Sequence, residues 1–303
     1  MATSQPAILM DLQKYQWYVH MSRTENADLG LIKSAIKDSL ADAAAQGVNL
    51  CVLVGPTLAD DLGIETDDFQ AYPGYESPDG ARVAKGTQEE LLMWLHHADK
   101  DLIWEVQHTF RKAVAGHLEV ARETPTFIYK NSLDLTGHID GTGNPEPEDQ
   151  KDRAIVDDGR PGEGGSYCIA QRWVHDMDFW ATLSLEEEEN TFGRTKPDSV
   201  KLETQVPTSH LSHVELREGA TAVESTPKRG EMVRRSTPYA FHEGTVGLYF
   251  MGFCKTQAPM RERMEAMYGM NGQALDAITD YSTPASGSFY FAPSVEALEA
   301  ALA

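Results

Sequence analysis

The order in which apolar residues change their period constrains this chain most. Tyr15 to Met21 is rich in aromatic and β-branched residues and reads as a strand. Leu29, Ile32, Ile36, Leu40 and Ala43 then recur at steps of three or four, one face of a helix that Gly47 ends. Leu50–Val54 is a short buried strand closed by Gly55-Pro56, and Glu90–His96 is another. Leu102, Val106, Phe110 and Val114 form a second helical stripe that stops at Gly116, and His117–Ala121 completes the half as a strand. The order then returns. A strand over Gly164–Trp173, a helix over Phe179–Glu189, strands over His210–Leu216, Met232–Tyr239 and Thr245–Phe253, a helix over Met260–Met267 and a strand over Gly287–Ala292 repeat strand-helix-strand-strand-helix-strand, with one strand more between the helices. Such a pattern predicts an α+β fold built twice over, with antiparallel sheets and peripheral helices.

Composition excludes several function classes. A chain of 303 residues, 41% hydrophobic and 24% charged, is long enough and apolar enough to bury a core. No run approaches the ~20 apolar residues of a membrane-spanning helix, and the opening Met-Ala-Thr-Ser-Gln-Pro has no secretory pattern. Cys51, Cys168 and Cys254 are odd in number and isolated, so a reducing compartment, the cytoplasm, is expected. They form neither CxxC nor CxxCH, which argues against a zinc knuckle and against covalent haem attachment. The net charge of −21 would repel a nucleic-acid duplex, and no basic stripe offsets it.

Between the halves, Asp140 to Gly165 is dense in Gly, Pro, Asp and Glu and lacks periodicity. It is longer than the ~12–15 residues beyond which a structureless loop is usually functional. It opens with Gly137-His-Ile-Asp140-Gly141-Thr-Gly-Asn144-Pro145, where glycines beside a carboxylate let the backbone turn tightly and let a flat ligand approach. As a dinucleotide-binding fingerprint the stretch fails, because the third glycine, the preceding strand and the following helix are all missing. An ordinary Asp-Gly turn uses the same pair.

Gly137-x-x-Asp140-Gly141-Thr-x-Asn144-Pro145 resembles the GxxDGTxNP signature of dye-decolorising (DyP-type) haem peroxidases. Gly164-Gly-Ser-Tyr167, Gln171-Arg-Trp173, Gly193-Arg-Thr195, Ser209-His210, Val233-Arg234-x-Ser236-x-Pro238-Tyr239, Gly247-Leu-Tyr-Phe250 and Gly287-x-x-Tyr-Phe-Ala-Pro293-Ser294 follow in the family's order. The short form is most similar to the bacterial class B members. The resemblance implies two ferredoxin-like halves in a dimeric α+β barrel arrangement, residues 1–130 and 131–303, with one haem b in the second, and a homo-oligomer.

The resemblance also implies roles. A peroxidase needs an iron ligand, a base for the peroxide proton and a cation for the departing oxygen. His210 is the implied axial iron ligand, Asp140 the base and Arg234 the cation. Ser236 is implied in the pocket, Leu248 and Phe250 in its apolar lining, and Arg194 as a partner of the haem propionates. Asp276, with Asp280 as the competing choice, is implied as the acid that accepts from the histidine. The usual arginine of the family's Ser-His-x-x-Arg pattern is His213 here. On a strand, positions three apart face opposite ways, so both histidines cannot reach one ligand. An additional turn-like segment around Arg217 to Lys228 separates His210 from Arg234. The expected activity is reduction of hydrogen peroxide with oxidation of small-molecule donors such as dyes or phenols. The alternatives are porphyrin handling (porphyrinogen oxidation or iron release from haem) and a non-catalytic haem-binding or sensing protein.

Overall fold

The alternating stretches become strands and the 3.6-residue stripes become helices over most of the chain. The computed structural model describes residues 2–215 and 232–303. After a single 3-10 turn at Pro6–Ile8 come β1 (Tyr15–Arg23), α1 (Leu29–Gln46), β2 (Asn49–Val54), α2 (Pro56–Asp61), the small hairpin β3 (Tyr75–Glu76) and β4 (Val83–Ala84), β5 (Leu91–His97), α3 (Lys100–Ala113) and β6 (Leu118–Phe127). Asp28 caps α1 by accepting from Leu31 N at 3.0 Å, and Gly47 ends it at φ +72°, a left-handed position suited to glycine. Next come α4 (Pro147–Ala154), β7 (Ser166–His175), α5 (Met177–Trp180), α6 (Leu185–Phe192), α7 (His210–Val214), β8 (Val233–Arg234), β9 (Thr237–Ala240), β10 (Val246–Cys254), α8 (Ala258–Met267), α9 (Ile278–Tyr281), β11 (Ser282–Pro284), β12 (Ser288–Ala292) and α10 (Val295–Ala301).

Among the described residues one antiparallel sheet runs β6-β1-β5-β2-β12-β7-β10-β8, with β9 on β10 and β11 on β7. Each set of four has the same order, its last strand beside its first: β6-β1-β5-β2, then β12-β7-β10-β8/β9. That is the ferredoxin-like arrangement, twice. The seam between the sets is one backbone pair, Val54 with Phe291, reinforced by glutamine amides. Gln5 bonds Val52 N and O at 2.8 Å each and Pro293 O at 3.0 Å; Gln88 bonds Phe289 N at 2.9 Å and Phe289 O at 2.7 Å. At the far edges Thr126 of β6 and Thr237 of β9 share a 2.7 Å hydroxyl contact, so the sheet curls into a barrel.

Side chains alternate across the curled sheet. One face of β7 and β10 puts Cys168, Ala170, Tyr249 and Met251 into the barrel with Tyr18, Trp94 and Tyr290. The other face turns Ile169, Gln171, Trp173, Leu248 and Phe250 to a cavity bordered by residues of α7 and α8.

Local structure departs from the sequence pattern in four places. The described part of the His210–Leu216 run is not a strand, because Ser209 accepts from Ser212 N and starts α7. The stripe from Phe179 to Glu189 splits into α5 and α6, since Ser184 and Glu187 form a capping box that begins a new helix. Met232–Tyr239 breaks into β8 and β9. The polar stretch after Asp140 contains α4, which opens on Pro147. The segment around Arg217 to Lys228 lies outside the described residues. All three cysteines are buried thiols. No helix among the described residues is long and apolar enough to cross a membrane.

Candidate active site

The cavity offers about 1550 Å³ of atom-free space, its open mouth included, and every residue lining it lies between Asp134 and Ser282. It gathers Asp140, Arg194, His210, Arg234, Leu248 and Phe250 from five separate stretches of chain.

His210 is the first residue of α7. Its Nδ1 lies 2.7 Å from Oδ2 of Asp276, which is completely buried and whose Oδ1 accepts from Ile278 N at 3.0 Å. A carboxylate on Nδ1 fixes the tautomer that leaves Nε2 as the lone-pair nitrogen. No described residue bonds Nε2. Asp280 is half-exposed and pairs with Arg82 at 2.7 Å, so it takes no part here. On a helix, positions three apart share a face, and His213 accordingly approaches the same Asp276 oxygen, at 3.9 Å. Its two ring nitrogens are occupied by the Ser209 and Ala274 carbonyl oxygens, at 2.8 and 2.7 Å. His213 therefore has no nitrogen to offer a metal.

Asp140 sits where the backbone turns through Gly141 at φ +89°, a conformation glycine adopts without strain. Gly141 N donates to Asp140 Oδ1 at 2.7 Å, leaving Oδ2 without a partner among the described residues. Burial pushes the Asp140 carboxyl above the usual carboxylate range; the positive charge of Arg234 opposes this and the negative charge of Asp134 adds to it. Arg234 is held by Asn144, which in the sequence is only one position of the motif. Asn144 Oδ1 accepts from Arg234 N at 2.8 Å and its Nδ2 donates to Arg234 O at 3.1 Å, as a neighbouring strand would. Gly143 makes room beside them, since a Cβ there would stand 3.1 Å from Arg234 Nη2. The Arg234 Nε hydrogen is buried without a partner.

Asn144→Ala strands the N–H and C=O of Arg234. It is expected to lower stability by about 1 kcal/mol and, through a shifted guanidinium, peroxide kcat/KM on the order of 10²-fold, the scale of a ~1 Å misplacement. Thermal unfolding and steady-state kinetics of the one variant check both.

Arg194 follows the left-handed cap Gly193 and donates to Ser199 O at 2.8 Å; burial holds its guanidinium below the ordinary range, and Arg234 acts in the same direction. Ser236 is not among the lining residues; its hydroxyl lies 3.4 Å from Met251 N. The sequence reading missed the buried pair Asp134–His175 in the cavity wall, 3.2 Å apart, with His175 Nδ1 at 2.7 Å from Ser282 Oγ. His175 lies at the end of a strand, with nothing in the local pattern to single it out.

A family model described as Dyp-type peroxidase, C-terminal, matches residues 131–297, more than half of the chain. The chain belongs to that family. It is 28% identical over 255 residues to the dye-decolorizing peroxidase of Mycobacterium tuberculosis, a match covering 83% of this chain and 75% of that one. Among solved structures, the dye-decolorizing protein from V. cholerae superposes with TM-score 0.87 at 29% identity over 98% of this chain and 99% of that one. A variant of DypB from Rhodococcus jostii RHA1 in complex with heme does so with TM-score 0.87 at 27% identity over 97% of each chain. The protein is thus a haem peroxidase. Its cavity fits that cofactor on three counts: apolar walls that include Ile169, Leu248, Phe250 and Met264, half-buried guanidinium groups suited to carboxylate edges, and an imidazole, His210, with a carboxylate on one nitrogen and the other nitrogen open.

Proposed function

We propose that this peroxidase reduces hydrogen peroxide with Asp140 as base and Arg234 as the charge-stabilising cation, and that it draws electrons from small donors such as dyes or phenols. His210 would hold the haem iron through Nε2, and Arg194 would meet the propionates. When bound, haem supplies an open iron site and a store of oxidising equivalents.

The chain's own part is proton transfer and charge placement. Asp140 takes the peroxide proton at Oδ2, the oxygen that Gly141 leaves free, and returns it to the departing oxygen. Arg234, locked by Asn144, places permanent donors where negative charge develops. Asp276 keeps the proton of His210 on Nδ1 and makes its other nitrogen a stronger donor. The observation that carries this reading is a carboxylate with one open oxygen, an arginine with an unused buried donor and an imidazole with one open nitrogen in a single cavity.

Asp140 works as a base only when ionised. With its pKa raised, the ionised fraction falls on acidification at a higher pH than the ~3.9 of a free aspartate. The acid limb of kcat/KM for peroxide is therefore expected above that value. Asp140→Asn should remove the limb and lower kcat/KM by about 10²–10⁴-fold, the worth of a general base. An unchanged acid limb in the Asn variant would overturn the assignment. Porphyrin turnover by the purified protein without added peroxide would favour the porphyrin-handling reading instead.

A further inference from the structure

The barrel interior holds a cluster of hydroxyl-bearing and nitrogen-bearing rings where aliphatic side chains would pack at less cost. His20, 1% exposed, lies between two fully buried tyrosines: Nε2 is 2.6 Å from the Tyr249 hydroxyl and Nδ1 is 2.8 Å from that of Tyr290. The Tyr249 ring stacks on Tyr18 with centroids 3.6 Å apart at 14°, and Tyr18 lies nearly parallel to Trp94 at 6.2 Å. Tyr249 belongs to β10 between Leu248 and Phe250, which line the haem cavity, so it lies one strand's thickness behind the wall.

Hydrogen-bond satisfaction gives the cluster a direction. Tyr249 has no polar partner among the described residues except His20, so its proton points there; otherwise it would be a buried orphan. His20 then donates from Nδ1 to Tyr290, whose own hydroxyl is within reach of Ser288. Ser288 in turn gives its hydrogen to Thr87 O at 2.7 Å and keeps its lone pairs for Tyr290.

We propose that Tyr249 and His20 form an internal one-electron reservoir that takes an oxidising equivalent out of the haem cavity into the barrel. Peroxide reduction leaves two oxidising equivalents to be filled. With haem bound to supply the oxidising equivalent, Tyr249 would give up one electron while its O–H bond breaks, and the proton would go to Nε2 of His20, where an N–H bond forms. The products are a neutral phenoxyl radical and an imidazolium. An electron arriving through Tyr18 and Trp94 returns the proton and restores both groups. Burial, together with Arg122 and Arg172, holds the basicity of His20 far below the ordinary histidine range. Burial likewise raises the Tyr249 phenol well above its usual value. The resting pair therefore stays neutral, and only a strong oxidant drives the step. The inference rests on the haem peroxidase activity but not on which residues cleave peroxide.

The test is freeze-quench electron paramagnetic resonance of haem-loaded enzyme mixed with one equivalent of hydrogen peroxide. A tyrosyl signal is expected in the wild type, narrowed by ring-deuterated tyrosine, and absent in Tyr249→Phe. His20→Gln keeps polar contacts for both hydroxyls but offers no base, and is expected to lose the signal also, so the result does not hang on one variant. Peroxide consumption followed in the same samples separates this question from the peroxidase reading. A wild-type signal that survives both substitutions, or wild-type enzyme that consumes peroxide without any tyrosyl signal, overturns the proposal.

Discussion

His210→Ala is expected to abolish peroxide turnover and to replace the ferric absorption spectrum of the haem-loaded protein. The reason is geometric: among the imidazoles at the cavity, His210 alone combines a carboxylate on Nδ1 with an open Nε2. His213→Gln in parallel should leave the axial ligation spectrum in place, because both His213 nitrogens are bound to backbone carbonyls. Asp276→Asn falls between them, with a loss of about 10–100-fold in cofactor affinity or activity, the range for a group that orients a metal ligand. Spectra and cofactor titration of the three variants separate ligand, neighbour and support. A ferric spectrum unaltered in His210→Ala would move the ligand elsewhere.

Arg234→Leu is expected to lower kcat/KM for peroxide by about 10²–10³-fold, or roughly 3–4 kcal/mol of transition-state stabilisation, while haem is retained. The guanidinium is not ion-paired to any described residue and its Nε donor is buried unused, so its charge is available to the reacting oxygen. Arg234→Lys should recover little, since a lysine ammonium is a single flexible point charge without the fork of donors. Arg234 also favours the ionised form of Asp140, so the leucine variant should shift the acid limb of the pH profile upward. Stopped-flow kinetics over a pH series reads both effects. A leucine variant as fast as the wild type would remove Arg234 from the mechanism.

The repeated strand and helix order was legible because strands and helices impose different periods on buried residues, and the cores of β1, α1, α3 and β10 obey them. The boundaries that failed were decided by caps. Ser209 turned a strand-like run into α7, and Ser184 with Glu187 divided one apolar stripe into two helices. Asp140, Arg194, His210 and Arg234 were found through a motif pattern, and the structure brings all four to one cavity. The choice between Asp276 and Asp280 was not legible, because it depends on where a loop after α8 folds back onto α7. The Asn144 clamp was equally hidden: its two partners are the backbone atoms of a residue 90 positions away, which leave no mark on side-chain chemistry. Nor does any sequence pattern announce His20, whose tyrosine partners lie 229 and 270 positions further along the chain.

The seam at Val54 and Phe291 bears on how such a protein can change over time. Every wall of the reaction chamber comes from one side of that join, and the other side supplies a companion edge that keeps β12 from presenting bare amides to other molecules. New donor specificity can thus arise by altering the loops and short helices around the chamber without disturbing β1 to β6. Drift in the early strands is tolerated where it spares His20, Tyr18 and Trp94 and lets Gln5 and Gln88 still bridge the gap. The chemistry around the chamber is left free to vary, and the scaffold's obligation narrows to three rings and a few amide contacts.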